Sequence, residues 1–244
     1  MIYTIISDIH GNLAALEAFF DFCKKNGLKL GHVICAGDIV GYGPSPSECI
    51  RLVKSVTDAV IMGNHERMLL SDNARRDASN LAVTAIEWCD GHIGHGDREF
   101  IRALPERLNL DPSITVVHGS PLDPDEYVFS SSTALRSIEE LRRLKIKRAV
   151  IGHTHVPGIF DSLGKREYAP DLEIELDPDG YYIINPGSIG QPRDGDPRAS
   201  FCILDTEPLS VSFYRIPYDI KRTADHIGRE GLPSQLAQRL YHGI

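Results

Sequence analysis

Histidine, aspartate and asparagine recur in short clusters along this sequence, and each cluster follows a run of apolar residues. The clusters read SDIHGN (7–12), AGDIVGYG (36–43), MGNHE (62–66), VHGS (117–120) and GHTH (152–155). Together they supply eight side chains with oxygen or nitrogen donors, namely Asp8, His10, Asp38, Asn64, His65, His118, His153 and His155. A donor set without thiolate suits divalent Mn, Fe, Co, Ni or Zn, and it exceeds what one ion needs. The clusters therefore predict a centre for two divalent metal ions.

Two of the clusters place their donors two residues apart. In an extended strand the side chains of residues i and i+2 point the same way, so Asp8 with His10, and His153 with His155, are each predicted to aim at one place. In this interpretation His153 and His155 each contact a different ion. Any one residue has an ordinary alternative, because an aspartate at a strand end often caps a helix and a lone histidine is often structural. We keep that alternative for the histidines without a companion motif, which are His32, His92, His95, His226 and His242.

Six apolar runs lead into polar residues and predict the strands that position the clusters. The runs are IYTIIS, HVICA, DAVIM, SITVV, RAVI and YYII, and they end before Asp8, Gly37, Gly63, His118, Gly152 and Asn185. Amphipathic stretches with helical spacing lie between them at 13–27, 45–56 and 132–146. Strands that alternate with helices indicate an α/β fold, in which the polar residues at strand ends converge.

The second half of the chain changes in character. EIELDPDG-YYIINPG, ASFCILD and LSVSFYRIP predict strands joined by turns, above all at DPDG, and hence a mixed sheet. We interpret residues 1–244 as one domain, with a helical insertion at about 65–110 and a helical tail at about 219–244. The insertion is expected to form a wall or lid near the clusters.

The composition excludes several classes of protein. A formal net charge of -8 and a pI near 5.7 argue against a protein that coats nucleic acid, so no large nucleic-acid partner is expected. No apolar run is long enough to span a bilayer, and MIYTIISD reads as a strand instead of a signal peptide. Five scattered cysteines fit reduced thiols better than disulfides. These features predict a cytoplasmic protein without a membrane partner.

The five clusters, in this order, resemble the calcineurin-like metallophosphoesterase superfamily, whose pattern is DxH, GD, GNH(E/D), a histidine near a small residue, and GHxH. The later stretch INPGSIGQPRDG (184–195) is similar to the small bacterial and archaeal phosphodiesterase-like branch of that superfamily. The resemblance implies an α/β (α+β) fold, a four-layer α-β-β-α sandwich of two mixed β-sheets flanked by helices. It also implies a dinuclear metal site at the strand ends.

The resemblance further implies a role for each donor. The first ion would be held by Asp8, His10, Asp38 and His155, and the second by Asp38, Asn64, His118 and His153. Asp38 would bridge the two ions and offset their repulsion. His65 would approach the leaving group as a general acid or a hydrogen-bond donor, oriented by Asp38 or Glu66.

The implied reaction is hydrolysis of a small phosphodiester or phosphomonoester by a hydroxide that bridges the two ions. One alternative is a serine/threonine protein phosphatase or dinucleoside tetraphosphatase, since DIHG and GNHE also resemble that branch. That branch carries GDxxDRG in its second cluster, whereas this chain has GDIVGYG and lacks the expected arginine. A second alternative is a non-catalytic protein-binding scaffold with the same fold, as in one eukaryotic trafficking relative.

Several residues near the clusters are candidates for other roles. Asn12, Tyr42, Arg67 and Arg193 are candidate substrate contacts, although a helix cap, a turn aromatic and solvated charges are the ordinary alternatives. Glu66 either supports the metal ligands or serves as a first-turn carboxylate. Asn185 either supports the GHTH histidines or belongs to a tight turn. Exposed strands in the second half of the chain could pair across the interface of a homodimer.

Overall fold

Two β-sheets packed face to face make up the centre of the molecule, seen in a computed structural model that describes residues 1–244. The strands are β1 Ile2–Ile6, β2 His32–Cys35, β3 Arg107–Asp111, β4 Ile114–Val117, β5 Arg148–Val150, β6 Gly158–Phe160, β7 Arg166–Glu167, β8 Glu173–Glu175, β9 Tyr182–Asn185, β10 Ala199–Thr206 and β11 Leu209–Ile216. The helices are α1 Leu13–Lys25, α2 Pro46–Lys54, α3 Asn64–Leu70, α4 Asn80–Asp90, α5 His95–Arg102, α6 Ser131–Leu144, α7 Ile220–Arg229 and α8 Ser234–His242. A 3₁₀ turn at Asp72–Arg75 follows α3.

Both sheets are mixed. The first has the order β2-β1-β10-β11-β8, with β1 and β2 parallel and the other pairs antiparallel. The second has the order β3-β4-β5-β9-β6-β7, with β4, β5 and β9 parallel. The parallel strands of both sheets are those that lead into the polar clusters, so their carboxyl ends determine where those clusters meet.

The apolar side chains divide into three buried groups that define four layers. Between the sheets lie residues such as Ile5 and Ile34 of the first sheet, packed with Val116 and Ile184 of the second. Outside the first sheet, α1, α2, α4, α7 and α8 cover a larger core. Outside the second sheet, α6 covers a smaller core through Ile138 and its neighbours. The predicted four-layer α-β-β-α sandwich is therefore confirmed.

The strand predictions hold for five of the six apolar runs. The exception is DAVIM at 58–62, which forms only an isolated bridge between Val60 and Cys35. It fails as a strand because the chain turns away at Met62, whose N–H donates to the carbonyl of Pro105 instead of to the sheet. Strands β3, β6 and β7 were not predicted. β6 and β7 are too short to show a pattern. β3, RLNLD, alternates polar and apolar residues, but it overlaps the end of the segment interpreted as a helical insertion.

The remaining helices lie in two parts of the chain. Between 64 and 102 the chain forms α3, the 3₁₀ turn, α4 and α5, and beyond Asp219 it forms α7 and α8. Ser79 begins α4 by accepting a hydrogen bond from Ala82, and Asp219 begins α7 in the same way from Arg222. None of the helices has the length and apolar character that crossing a membrane requires.

Candidate metal centre

The polar clusters meet where the two sheets present the carboxyl ends of their parallel strands. Asp8 and Asp38 follow β1 and β2 of the first sheet. His118 and His153 follow β4 and β5 of the second sheet, and Asn185 is the last residue of β9. The eight predicted donors are thereby drawn from both sheets into one buried site, with only Asn64 partly exposed.

The backbone at these donors is left-handed, not extended. Strand β1 ends at Ile6, and Asp8 and His10 have φ values of 54° and 50°. His153 and His155 likewise have φ values of 65° and 60°, and Asp38 has 56°. The premise that these pairs converge as alternate residues of a strand is therefore wrong. Each such residue costs about 1–3 kcal/mol, which the surrounding packing and hydrogen bonds must offset.

The first group of donors surrounds the carboxylate of Asp8. Asp8 Oδ1 lies 3.2 Å from His155 Nε2 and 4.0 Å from His10 Nε2. The two histidine Nε2 atoms are 3.1 Å apart, so both rings face one point. One donor atom from each of the three residues lies within 4.8 Å of the others, which is close enough for a shared ion.

The second group surrounds the carboxylate of Asp38. Asp38 Oδ2 lies 3.3 Å from His118 Nε2 and 3.7 Å from His10 Nε2, so this carboxylate stands between both groups. Asn64 Oδ1 is 3.0 Å from His118 Nε2. Asp38, His118 and His153 have donor atoms within 4.8 Å of one another, as do His10, Asp38 and His65.

Backbone carbonyls orient the four histidines that the resemblance implicates as ligands. His10 Nδ1 and His118 Nδ1 donate to the carbonyls of Val40 at 3.1 Å and Ala36 at 2.8 Å, and His155 Nδ1 donates to that of Gln191. His153 uses its other nitrogen, Nε2, which donates to the carbonyl of Asp125 at 3.2 Å. One ring nitrogen of each histidine is thus committed, and the other is directed towards the two carboxylates. This is the usual support for a metal-binding imidazole.

The charge distribution also fits a cation. Burial opposes ionisation of Asp8 and Asp38, but neighbouring histidines outweigh burial and lower the pKa of both carboxyls. Burial lowers the pKa of His10 and His155, and that of His153 to about 3. For His118, Asp38 overcomes burial and raises the pKa to about 9. Asp8 Oδ2 is buried without a hydrogen-bond partner, so the site offers two carboxylates and the neutral rings of His10, His153 and His155 to a divalent ion. Binding of that ion would displace the proton from His118.

Glu66 holds the loop that carries Asp38. Its two carboxylate oxygens accept hydrogen bonds from the backbone N–H groups of Asp38, Ile39 and Val40 at 2.8, 2.8 and 3.1 Å. They also accept from Gly63 at 2.8 Å, where Glu66 completes the first turn of α3. Burial and the charge of Asp38 raise the pKa of Glu66 to about 7, which the four N–H donors oppose. Glu66 therefore contacts the backbone of the loop that carries Asp38, and it also contacts the first turn of α3.

Replacement of Glu66 by alanine is expected to lower the free energy of unfolding of the metal-free protein by about 3 kcal/mol, because four buried N–H groups lose their acceptor. Urea unfolding measures this change. The matched control is Glu87→Ala on the exposed side of α4, expected to change stability by less than about 0.5 kcal/mol. Equal losses in the two variants would contradict the role given to Glu66.

The NPGS loop at the end of β9 forms hydrogen bonds with both the GHTH loop and the loop that carries Asp8. Asn185 Nδ2 donates to the carbonyl of Gly152 at 2.7 Å and to Thr154 Oγ1 at 2.9 Å, both within GHTH. Ser188 Oγ donates to the backbone carbonyl of Asp8 at 2.7 Å. The asparagine therefore contacts the backbone of the histidine loop while also forming the turn, through the N–H of Gly187 at 2.8 Å.

His65 is packed among rings beside the two carboxylates. Its ring centroid lies 4.5 Å from those of His10 and Tyr42, and its backbone N–H donates to Asp38 Oδ1 at 2.9 Å. Burial lowers the pKa of His65 to about 4, and its Nδ1 is buried without a partner. The guanidinium of Arg193 lies 5.7 Å from the Tyr42 ring centroid, so a cation stands at the rim of the site.

Two of the candidate substrate contacts also bind other parts of the protein. Asn12 begins α1 by accepting from Ala15, and its amide donates to the carbonyl of Gly190 at 2.8 Å and to Tyr218 Oη at 3.2 Å. These two bonds use both N–H groups of the Asn12 amide, so no amide donor is free for a ligand. The amide oxygen also accepts from Thr223. Arg67 pairs with Asp125 through Nη2, whereas its Nη1 is buried without a hydrogen-bond partner.

Sequence reasoning assigned no role to individual residues of the segment 121–130, which covers His153. The carbonyl of Asp125 accepts from the His153 ring, and Tyr127 stacks on that ring with centroids 3.7 Å apart. Gln191 was missed in the same way, although its carbonyl orients His155. Backbone carbonyls leave no signal in side-chain patterns, and Tyr127 has no motif around it, so neither could be found by spacing alone.

Comparison with known proteins agrees with this geometry. Residues 1–208 match the sequence model of the calcineurin-like phosphoesterase superfamily domain. An uncharacterized protein of Methanocaldococcus jannaschii is 33% identical over 242 residues, which cover 98% of this chain and 97% of that protein. A metallophosphoesterase crystal structure from Sphaerobacter thermophilus is 33% identical, with a TM-score of 0.86 over 100% of both chains. The symmetrical bis(5'-nucleosyl)-tetraphosphatase of Psychromonas ingrahamii is 38% identical over 71 residues, 28% of this chain and 25% of that protein.

Proposed function

The chain belongs to the calcineurin-like phosphoesterase superfamily, and on that premise we propose that it hydrolyses small phosphodiesters or phosphomonoesters with two divalent metal ions. Membership makes it a metal-dependent hydrolase of phosphoric ester bonds, as its five clusters predicted. The substrate, the number of ions and the residues that hold them belong to the proposal.

The observation that carries the proposal is the shared orientation of four histidines. His10, His118, His153 and His155 each give one ring nitrogen to a backbone carbonyl and turn the other towards Asp8 and Asp38. A structural core of buried histidines has no need for two ionised carboxylates beside it, since each charge would have to be desolvated. Divalent cations make this arrangement favourable.

We assign the ions to the two groups of donors. Asp8, His10 and His155 would hold one ion, Asn64, His118 and His153 the other, and Asp38 would contact both. Bound in this way, Mn, Fe, Zn, Ni or Co ions would lower the pKa of a water molecule towards neutrality and neutralise charge on the phosphate.

The side chains around the ions would position the ester. Arg193 lies at the rim of the site beside Tyr42 and would attract a phosphate oxygen. It would thereby replace the arginine that the GDIVGYG cluster lacks. His65 would donate a hydrogen bond to the leaving oxygen, because its ring lies beside Asp38 and His10. The buried walls formed by Tyr42 and His10 would exclude water from this side.

A dinucleoside tetraphosphatase is the second candidate, favoured by the 38% identity over 71 residues to a bis(5'-nucleosyl)-tetraphosphatase. The missing arginine of the second cluster counts against it and against a protein phosphatase. A non-catalytic scaffold is the least supported alternative, because a scaffold gains nothing from eight filled donor positions in a buried site.

The test compares hydrolysis of bis(p-nitrophenyl) phosphate and p-nitrophenyl phosphate by metal-stripped protein, with and without added Mn²⁺. We expect no turnover without metal and restored turnover with it, together with two bound ions per chain by elemental analysis. Faster cleavage of the diester would direct the search to phosphodiesters, and faster cleavage of the monoester would direct it to phosphomonoesters. Absence of hydrolysis with Mn, Fe, Co, Ni and Zn would contradict the proposal.

A further inference from the structure

Two arginines lie beside the proposed metal centre, and they differ in what holds their guanidinium groups. Arg67 pairs with the carboxylate of Asp125. Arg193 forms no ion pair, and its guanidinium donates instead to the amide oxygen Oε1 of Gln191, from Nη2 at 2.8 Å and from Nε at 3.3 Å. An arginine can only donate, so the oxygen of the amide must face it. Arg193 therefore keeps a positive charge that no carboxylate pairs with.

The charge of Arg193 lies close to the first group of donors. The guanidinium is 5.7 Å from the centroid of the Tyr42 ring, and that ring packs against those of His10 and His65 with centroids 4.7 and 4.5 Å apart. Burial lowers the pKa of His155, and the positive charge of Arg193 lowers it further. Both observations place the guanidinium beside the donors to which the proposed function brings the phosphate.

Gln191 is itself fixed by the loops that carry proposed metal ligands. It is 2% exposed, and its backbone N–H donates to Ser188 Oγ at 2.8 Å. Ser188 Oγ in turn donates to the carbonyl of Asp8 at 2.7 Å. The carbonyl of Gln191 accepts from the ring of His155. Because its backbone is bonded to both of these loops, the side chain of Gln191 keeps a defined position relative to the metal centre.

The loop that carries Arg193 is also held at its far end. Asp194 pairs with the buried Arg215 of β11, and the N–H of Gly195 donates to the carbonyl of Gly243 at 2.9 Å. The freedom that remains to Arg193 is therefore in its long side chain, which the amide of Gln191 restrains. A side chain that is ordered before its ligand arrives loses less entropy when the ligand binds.

We propose that Gln191 is a positioning residue, which holds Arg193 beside the metal centre and leaves its charge available to a phosphate oxygen of the substrate. The inference rests on the proposed function, which brings the phosphate to the ions next to Arg193. A neutral amide suits this task because a carboxylate at the same place would hold the guanidinium but cancel its attraction for an anion. The hydrogen bonds to Gln191 use Nε and Nη2, so Nη1 stays outside this contact.

The first test measures the binding of inorganic phosphate to Mn²⁺-loaded protein by calorimetry. Gln191→Met removes the acceptor but nearly keeps the volume of the buried side chain, so we expect the Kd of phosphate to rise about tenfold. Gln191→Glu keeps the shape and an acceptor but adds a negative charge, and it should raise the Kd at least as much. Gln238→Met and Gln238→Glu, at an exposed glutamine of α8, should leave the Kd unchanged. If Gln191→Met does not fold, Gln191→Glu gives the same comparison.

A double-mutant cycle distinguishes positioning of Arg193 from a general effect on the fold. Arg193→Met alone should raise the Kd of phosphate by about tenfold or more, because the cation is lost. Adding Gln191→Met to that variant should change the Kd by less than about twofold, because Gln191 acts through Arg193. The Kd of Mn²⁺ for metal-free protein should be the same in wild type and Gln191→Met, since the carbonyl that orients His155 belongs to the backbone.

The outcomes separate this inference from the proposed function. Wild-type phosphate binding in Gln191→Met or Gln191→Glu, in a protein that hydrolyses esters with metal, would overturn the inference and leave the phosphoesterase intact. Additive effects of the Gln191 and Arg193 substitutions, or an equal loss of Mn²⁺ affinity, would show that Gln191 acts on the metal ligands and would also overturn it. Absence of ester hydrolysis, with phosphate binding that still depends on both residues, would contradict the proposed function and support the role of Gln191.

Discussion

Replacement of Asp38 by asparagine is expected to lower kcat/KM by about 10³-fold or more and to leave fewer than two metal ions per chain. Asp38 Oδ2 lies 3.7 Å from His10 Nε2 and 3.3 Å from His118 Nε2, so this carboxylate belongs to both groups of donors. Asparagine keeps the shape but removes the negative charge that would offset repulsion between two dications. A loss of several kcal/mol of electrostatic stabilisation corresponds to the stated factor.

The measurement is kcat/KM with bis(p-nitrophenyl) phosphate, accompanied by elemental analysis of the same sample. The matched control is Asp179→Asn, which makes the same change of charge at a side chain that is 97% exposed in the DPDG turn. The control should retain two ions and wild-type turnover. A folded Asp38→Asn protein with two ions and wild-type turnover would rule out the shared carboxylate as the basis of the centre.

Replacement of His65 by alanine is expected to reduce kcat by about 10²-fold or more while both metal ions are retained. His65 is 3% exposed and stands beside Asp38 with its Nδ1 free of protein partners. Gly41 allows this packing, because a Cβ at that position would lie 2.1 Å from His65 Nδ1. The ring is thus positioned at the site by close packing, with its Nδ1 edge against Gly41.

The effect should depend on the leaving group. A poor leaving group such as an alkoxide needs a hydrogen-bond donor more than p-nitrophenolate does, so the loss in His65→Ala should be larger for alkyl esters. His65→Gln keeps an N–H donor and should retain more activity than the alanine variant. His95→Ala, at an exposed histidine of α5, serves as the control. Equal losses for alkyl and p-nitrophenyl esters would exclude contact with the leaving oxygen, and loss of an ion in His65→Ala would instead make His65 a ligand.

Much of the fold could be read from local patterns. The runs before Asp8 and His118 are strands because continuous apolar residues suit sheets covered on both faces, and α1 and α6 follow the helical spacing of their apolar residues. The conformation of the run at 58–62 could not be predicted from its sequence, because it depends on a hydrogen bond from the N–H of Met62 to the carbonyl of the distant Pro105. Strands as short as β6 and β7 depend on their neighbours and carry too few residues for a pattern.

The sequence by itself determined which side chains could bind metal and the family to which the chain belongs. Donor chemistry is a property of residue type, and five clusters in a given order are specific even when each one is short. The tertiary structure alone decided how those donors face one another. His10 and His155 meet across 145 positions of the chain, from left-handed backbone conformations that only distant contacts can stabilise. The carbonyls that orient the histidines, the four N–H groups gathered by Glu66 and the ring of Tyr127 beside His153 likewise arise from chain segments that are close only after folding.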